Sequence, residues 1–232
     1  MSPDPWQRKV MASTARQQIL CVSRQAGKSS VVAHKATHDL LYEPGAFVVC
    51  LAPSFRQSRE LFRRIMHAFR QLGRPVPAER ENTLELELAN GARCVALPGA
   101  SETIRGYSGA TRLLIDEAGS VPDEVYLTVR PFLATTNGIL QATGTPRGRR
   151  GWFYEAWENG GPAWERTKVK CWDCPRLSRE FLEREREEMG QRWFSQEYEC
   201  EFLDILDGLF TTEQIERAIT SDVGLFFPGG IQ

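Results

Sequence analysis

"QQILCVSRQAGKSSVVAHKATHDLLY" (17–42) decides the fold, because it joins an apolar run, a short polar loop and a helical pattern. The run 17–23 predicts a buried strand, and residues 27–42 predict a helix that begins at the loop. A strand, a loop with Gly-Lys-Ser at its end and a helix form the context of a phosphate-binding loop. The usual motif has a glycine where this chain has Val22. The loop alone therefore leaves a nucleotide site and a coincidental match both open.

The side chains of the loop suit a nucleotide and a metal ion. Gly27 lets the backbone approach phosphate groups, and the free N–H groups of the following helix favour an anion. Lys28 would reach the β- and γ-phosphates, while the Ser29 hydroxyl would bind Mg²⁺. If the loop binds a nucleotide, these residues indicate one with β- and γ-phosphates, together with Mg²⁺.

"RLLIDEAG" (112–119) supplies the second half of such a site. Asp116 ends a buried apolar strand, where an unpaired carboxylate would be costly. It can hold Mg²⁺, and Glu117 beside it can orient and activate a water molecule as the catalytic base. The alternative is structural, with Asp116 or Ser120 capping a following helix. The upstream loop favours the functional interpretation, and Glu117 favours hydrolysis over transfer to a small acceptor.

The remaining elements predict the α/β class with a mostly parallel central sheet flanked by helices. Residues 46–52 and 138–146 read as further buried strands, and residues 54–73 as an amphipathic helix. Alternating residues on both sides of Asn90-Gly91 predict a hairpin. From about residue 175 the chain becomes highly charged, with a helical pattern over 178–204. We expect an ATPase core at 1–174, a small helical lid at 175–220 and a linker tail at 221–232.

Composition excludes several broad classes. The 29 Lys and Arg residues balance 30 Asp and Glu residues, so the molecule as a whole is no polycation. No apolar run approaches the roughly 20 residues that cross a bilayer, so no membrane partner is expected. The six cysteines are scattered, which suits buried thiols in a reducing compartment. "CWDC" (171–174) is an isolated pair, and inert thiols are favoured over structural zinc.

The loop "SRQAGKSS" and four further segments resemble the large terminase subunits of tailed bacteriophages and herpes-type viruses. The further segments are "PWQRKVM" (5–11), "TIRGYSGATRLLIDEA" (103–118), "ATGTPRG" (142–148) and "WFSQEYECEFLD" (193–204). That family consists of ATP-driven DNA-packaging motors of the additional-strand, catalytic-glutamate branch of P-loop ATPases. In its loop an arginine is usual and the first glycine is often absent, so the resemblance implies a functional variant.

The resemblance also implies roles for individual residues. Gln7 would recognise adenine, and Arg105 would be an arginine finger donated to the ATP of a neighbouring subunit. Thr143, Gly144 and Thr145 would couple hydrolysis to movement, with an ordinary strand-to-helix turn as the alternative. A surface arginine is the alternative for Arg105. The nucleotide-binding loop residues would be Arg24, Gln25, Ala26, Gly27, Lys28, Ser29 and Ser30.

Partners follow from the same resemblance. They are double-stranded DNA, a portal protein, a small terminase subunit and copies of this chain in a ring. The ring would be a pentamer on the procapsid, and an isolated domain could be monomeric. Arg147, Arg149 and Arg150 are candidate DNA contacts, although a solvated turn explains them equally. The expected location is the host cytoplasm, transiently on the procapsid and not in the mature virion.

The resemblance also implies a C-terminal nuclease, and we expect none in this sequence, since only positions 209–232 follow "FLDILDG". The sequence would then be the ATPase half, either a part of a longer chain or a naturally shortened form. We therefore expect no nuclease activity from this chain. The leading alternative function is another nucleic-acid-translocating P-loop ATPase of helicase-like type. Two-lobed helicases need a second RecA-like lobe that supplies arginines, and we expect none within this sequence. A small-molecule kinase or a nucleotide-binding regulator without turnover are further alternatives.

Overall fold

The computed structural model describes residues 2–97, 104 and 106–204, and this part of the chain is organised by one β-sheet. The strands are β1 (Gln17–Val22), β2 (Phe47–Leu51), β3 (Ala78–Glu81), β4 (Glu85–Leu88), β5 (Arg93–Ala96), β6 (Arg112–Asp116), β7 (Ile139–Gly144) and β8 (Trp164–Val169). The α-helices are α1 (Pro5–Ala12), α2 (Lys28–Tyr42), α3 (Phe55–Gln71), α4 (Asp123–Val129), α5 (Gly151–Glu158) and α6 (Arg179–Glu197).

The strand order is β3-β4-β5-β2-β6-β7-β1-β8. The six strands from β5 to β8 in this order pair in parallel, and β3 and β4 add an antiparallel edge. β7 lies between β1 and β6, so an additional strand separates the strand of the loop from the strand of the acids. Because parallel strands end at the same edge, the loop after β1 and the acids after β6 face each other there.

Alternation along the strands builds a core on each face of the sheet. Leu20 and Val22 point towards α2 and α3, where they join the larger helical layer. Ile19 and Cys21 point to the opposite face, which α4 and α5 cover. The sheet is therefore buried on both sides, which explains why its central strands are almost continuously apolar.

The structure confirms the predicted strands at 17–23, 46–52, 112–119 and 138–146 and the predicted helices after the loop and at 54–73. The hairpin at Asn90-Gly91 is also confirmed, with Gly91 at φ 79°. The sequence reading missed β8, which pairs in parallel with β1 at the sheet edge. β8 was missed because its polar and charged positions lack a clear period.

The helix predicted over 178–204 is wrong in extent. α6 ends at Glu197, and Gly190 interrupts it with φ 77° and ψ 157°. A separate small cluster of buried residues ties α6 to the end of β8, and it consists of Cys171, Leu182, Phe194 and Tyr198. This cluster agrees with a helical segment beside the core, but the boundaries at 174, 220 and 221 remain predictions, the last two beyond the described residues.

All six cysteines are free and buried, which confirms the prediction of buried thiols. None of the described helices is both long and apolar enough to cross a membrane.

Candidate nucleotide-binding site

The loop between β1 and α2 explains the substitution of Val22 for the usual glycine. Val22 is fully buried and is the last residue of β1, where it pairs in register with Val169 of β8. The backbone N–H of Ser23 extends this pairing by donating to the Val169 carbonyl at 2.9 Å. A β-branched residue suits a strand position, so the loop begins one residue later and needs no glycine at position 22.

Gly27, in contrast, is required. It precedes α2 with φ 90° and ψ 22°, in the left-handed region that strains other residues. A Cβ atom at this position would lie 3.1 Å from Gln7 Nε2 and 3.5 Å from Arg176 Nη2. The backbone turn and the close approach of these two side chains therefore both call for glycine.

Ser29 and Asp116, the predicted metal ligands, contact each other at the edge of the sheet where β1 and β6 end. Ser29 Oγ, in the first turn of α2, donates to Asp116 Oδ2 at 2.9 Å. Asp116 Oδ1 accepts from the backbone N–H of Glu117 at 3.0 Å. Burial raises the pKa of Asp116, and Lys28 opposes this shift. A nearby cation would stabilise the ionised form of this buried carboxylate. The Ser29 hydroxyl and the Asp116 carboxylate therefore fit Mg²⁺, which prefers oxygen ligands.

Lys28 and Glu117, the predicted phosphate ligand and catalytic base, form an ion pair with 3.0 Å between Nζ and Oε1. Glu117 has φ 50° and ψ 41°, a conformation that is uncommon for a non-glycine residue. Gly144 on β7 makes room for this turn, since a Cβ there would lie 3.0 Å from the backbone nitrogen of Ala118. Backbone strain of this kind is typical of functional sites.

A cavity of about 500 Å³ opens in front of these groups. Its lining contains most of the predicted loop residues together with Arg64 of α3, which the sequence reading did not identify. The lining residues are Arg24, Gln25, Gly27, Lys28, Ser29, Ser30, Arg64 and Glu117. The volume is in the range of small-molecule sites.

The N-terminal helix lies against the loop. Gln7 is buried, and its Oε1 accepts from the backbone N–H of Asp4 at 2.9 Å. Arg176 donates to the Ala26 carbonyl at 2.7 Å and lies 2.8 Å from Asp4 Oδ2, so it ties the loop to α1. No sequence signal marks Arg176, because it lies between the C-x-x-C segment and α6 without a motif of its own.

The three coupling candidates lie at the end of β7 beside the site. Thr143 is in register with Asp116, and its buried hydroxyl has no hydrogen-bond partner among the described residues. Thr145 donates to Glu197 Oε2 at 3.1 Å. Glu197 is thus a further site residue. It lies in the segment 193–204, which resembles the family, but no sequence pattern gives this residue a role of its own.

The candidate DNA-binding arginines are in different environments. Arg147 Nε donates to Ser120 Oγ at 3.0 Å, and Arg149 Nε donates to the Phe202 carbonyl at 3.2 Å. Arg150 is exposed and precedes α5. Arg105 lies outside the described residues.

Together, the strand order and the loop geometry define an α/β P-loop fold. The family model described as "Terminase large subunit, T4likevirus-type, N-terminal" matches residues 19–217. The chain therefore belongs to this terminase large-subunit family.

Named relatives agree with this assignment. The chain is 27% identical to the terminase large subunit of Thermus virus P23-45, in an alignment covering 90% of this chain and 50% of the relative. It is also 27% identical to that of Escherichia phage T5, covering 83% of this chain and 45% of the relative. The chain thus spans about half the length of the curated relatives it matches.

Solved structures share the fold. The large terminase ATPase domain of Thermus phage P74-26 superposes with a TM-score of 0.77 at 23% identity, covering 87% of this chain and 94% of that chain. The large terminase of another thermophilic bacteriophage, in complex with ADP, gives a TM-score of 0.73 at 14% identity, covering 86% of this chain and 53% of that chain.

Proposed function

We propose that this chain is the ATPase part of a phage large terminase and hydrolyses ATP with Mg²⁺ to drive double-stranded DNA into a procapsid. The observation that carries the proposal is the convergence of Lys28 and Ser29 with Glu117 and Asp116, at 3.0 Å and 2.9 Å. Relatives described as an ATPase domain and as complexes with ADP and ATP-gamma-S support ATP as the substrate.

Phosphate binding is assigned to the loop. Its backbone N–H groups and the N-terminus of α2 favour the anion, and Arg24 and Lys28 supply positive charge. When ATP binds, Lys28 leaves Glu117 and contacts the γ-phosphate instead. The same exchange releases the Glu117 carboxylate, so binding of the substrate prepares the base.

Hydrolysis requires Glu117 to accept a proton from water while the water oxygen bonds to the γ-phosphorus and the bond to the ADP oxygen breaks. Ser29 and Asp116 would hold Mg²⁺, which neutralises phosphate charge when bound. Gln7, buried beside the loop, is assigned to adenine recognition. Thr143, Gly144 and Thr145, at the end of the adjacent strand β7, are assigned to detecting the loss of the γ-phosphate and coupling it to movement.

The assembly belongs to the same proposal. A ring, pentameric on the procapsid, would let Arg105 of one subunit reach the ATP of the next. Portal protein, small terminase subunit and duplex DNA are the proposed partners, in the host cytoplasm and transiently on the procapsid. Arg150 is the best placed of the three candidate arginines for DNA, because Arg147 and Arg149 already have partners within the chain.

The test is ATP turnover by the parent chain with Mg²⁺ and with EDTA, alongside Lys28→Ala and the control Lys170→Ala. We expect EDTA and Lys28→Ala to abolish turnover and Lys170→Ala to preserve it, since Lys170 pairs with Glu201 away from the loop. Failure of the parent to bind ATP with Mg²⁺ would refute the proposal. Strand separation of duplex DNA by the chain would favour the helicase-like alternative.

A further inference from the structure

The carboxylate of Glu197 joins three parts of the site. Its Oε2 lies 3.0 Å from Arg24 Nε of the loop and accepts from Thr145 Oγ1 at 3.1 Å. Its Oε1 lies 3.6 Å from Arg147 Nη1. The backbone is held as well, because the Arg24 N–H donates to the Glu197 carbonyl at 3.1 Å. Glu197 therefore connects the end of α6 to the loop and to the segment after β7.

The burial of Glu197 explains why its carboxylate restrains Arg24. The Glu197 side chain is only 7% exposed, whereas the Arg24 side chain is 55% exposed. A buried carboxylate needs partners, and two arginines and a hydroxyl satisfy that need. An exposed arginine would otherwise sample many rotamers, and its ordering on ligand binding would reduce affinity.

The contact geometry leaves Arg24 able to bind a ligand. Glu197 engages the Nε edge of the guanidinium, and none of the ion pairs or side-chain hydrogen bonds among the described residues uses its two terminal nitrogens. Arg24 also lines the cavity in front of Lys28. A guanidinium held by one edge can present its other nitrogens to phosphate oxygens as a fork.

We propose that Glu197 is a positioning residue, which holds Arg24 in place for the phosphate groups of the nucleotide and links that arginine to Thr145 and Arg147. The inference rests on the proposed function, because it requires a nucleotide in the cavity. It assigns the end of α6 a role in binding, so that a shift of α6 changes the hold on the phosphates.

The test is a double-mutant cycle on the affinity for Mg²⁺-ATP-gamma-S, measured by calorimetry with Glu197→Gln, Arg24→Gln and the double variant. Glu197→Gln keeps the size of the side chain and the backbone contact to Arg24. We expect it to weaken binding about 3- to 10-fold, the effect of freeing one flexible side chain. In the Arg24→Gln background, the same substitution should have no further effect.

Glu201→Gln is the matched control. Glu201 lies in the same segment and has two cationic partners, Lys168 at 3.1 Å and Lys170 at 2.9 Å, but it does not touch the loop. We expect it to leave the affinity unchanged. Glu197→Asp, which keeps the charge but shortens the side chain, should weaken binding by an intermediate factor and serves if Glu197→Gln folds poorly.

The outcomes separate the two proposals. Equal or tighter binding by Glu197→Gln, or equal weakening in both backgrounds, would overturn the positioning role while leaving the ATPase proposal intact. Absence of binding by the parent chain would overturn the ATPase proposal and this inference with it.

Discussion

Lys28 Nζ and Glu117 Oε1 form an ion pair of 3.0 Å, so the proposed phosphate ligand contacts the proposed catalytic base. Under the proposed roles, Lys28 cannot bind phosphate and Glu117 cannot accept a proton until this ion pair opens. A γ-phosphate is the group that can draw the ammonium away, because it offers more negative charge than one carboxylate.

Glu117→Gln should separate binding from turnover. Without a carboxylate, no group accepts the proton from water, so we expect turnover to fall by about 10²- to 10⁴-fold. ATP should bind at least as tightly as to the parent, because Lys28 loses its competing partner. Steady-state turnover and calorimetry measure the two quantities. The exposed Glu124→Gln serves as the control, and weaker ATP binding by Glu117→Gln would contradict the exchange.

Gly27→Ala should abolish nucleotide binding, whereas Gly45→Ala should not. Both glycines have positive φ, +90° and +74°, so each alanine is expected to lower the free energy of unfolding by about 1–2 kcal/mol. Only at Gly27 would the added Cβ also meet Gln7 Nε2, at 3.1 Å, while Gly45 has no neighbour within 4 Å. Denaturant unfolding and ATP titration test both. Equal ATP affinity of the two variants would exclude a special role for the Gly27 contact.

Mixing inactive variants should test the ring. If Arg105 acts on the ATP of a neighbour, Arg105→Ala subunits have an intact base and Glu117→Ala subunits have an intact finger. A mixture should therefore recover turnover that neither variant shows alone, and the parent's specific activity should rise with protein concentration. Turnover that is independent of concentration and not restored by mixing would place Arg105 within one subunit or outside the reaction.

Arg150→Ala should flatten the salt dependence of DNA-stimulated turnover. One lost phosphate contact reduces the slope of log DNA affinity against log salt by about 1, and the DNA concentration that gives half-maximal stimulation of turnover measures this affinity. Arg149→Ala provides the comparison, because Arg149 lies 3.7 Å from Asp204 and donates to the Phe202 carbonyl. We expect this variant to lower the melting temperature and to leave the salt slope nearly unchanged. An unchanged slope for Arg150→Ala would remove it from the candidate DNA contacts.

Asp39→Asn should destabilise the fold strongly. Asp39 pairs with Arg112 of β6, and both side chains are buried, at 7% and 2% exposure. An uncompensated buried guanidinium is expected to lower the free energy of unfolding by about 3–5 kcal/mol. Glu60→Gln, which breaks an exposed pair with Arg63, should change it by less than about 1 kcal/mol. Similar urea midpoints for the two variants would contradict the prediction that the buried pair contributes more to stability than the exposed pair.

The sequence was sufficient for the parts of the site that depend on local pattern. Gly27, Lys28 and Ser29 follow an apolar strand, and Asp116 and Glu117 end another, so each half could be predicted from neighbouring residues. Their meeting could also be expected, since parallel strands end at one edge of the sheet. β8 could not be predicted, because its polar and charged residues at the sheet edge give no clear period.

The limits of the sequence have one physical cause. Periodicity, glycine and capping patterns report interactions between residues close in the chain, and from these the sequence determined the α/β class, the loop and the acidic strand end. Contacts between distant segments depend on how the elements pack. Only the tertiary structure decided that Arg176 holds the loop to α1, that Glu197 holds Arg24, and that Lys28 lies on Glu117.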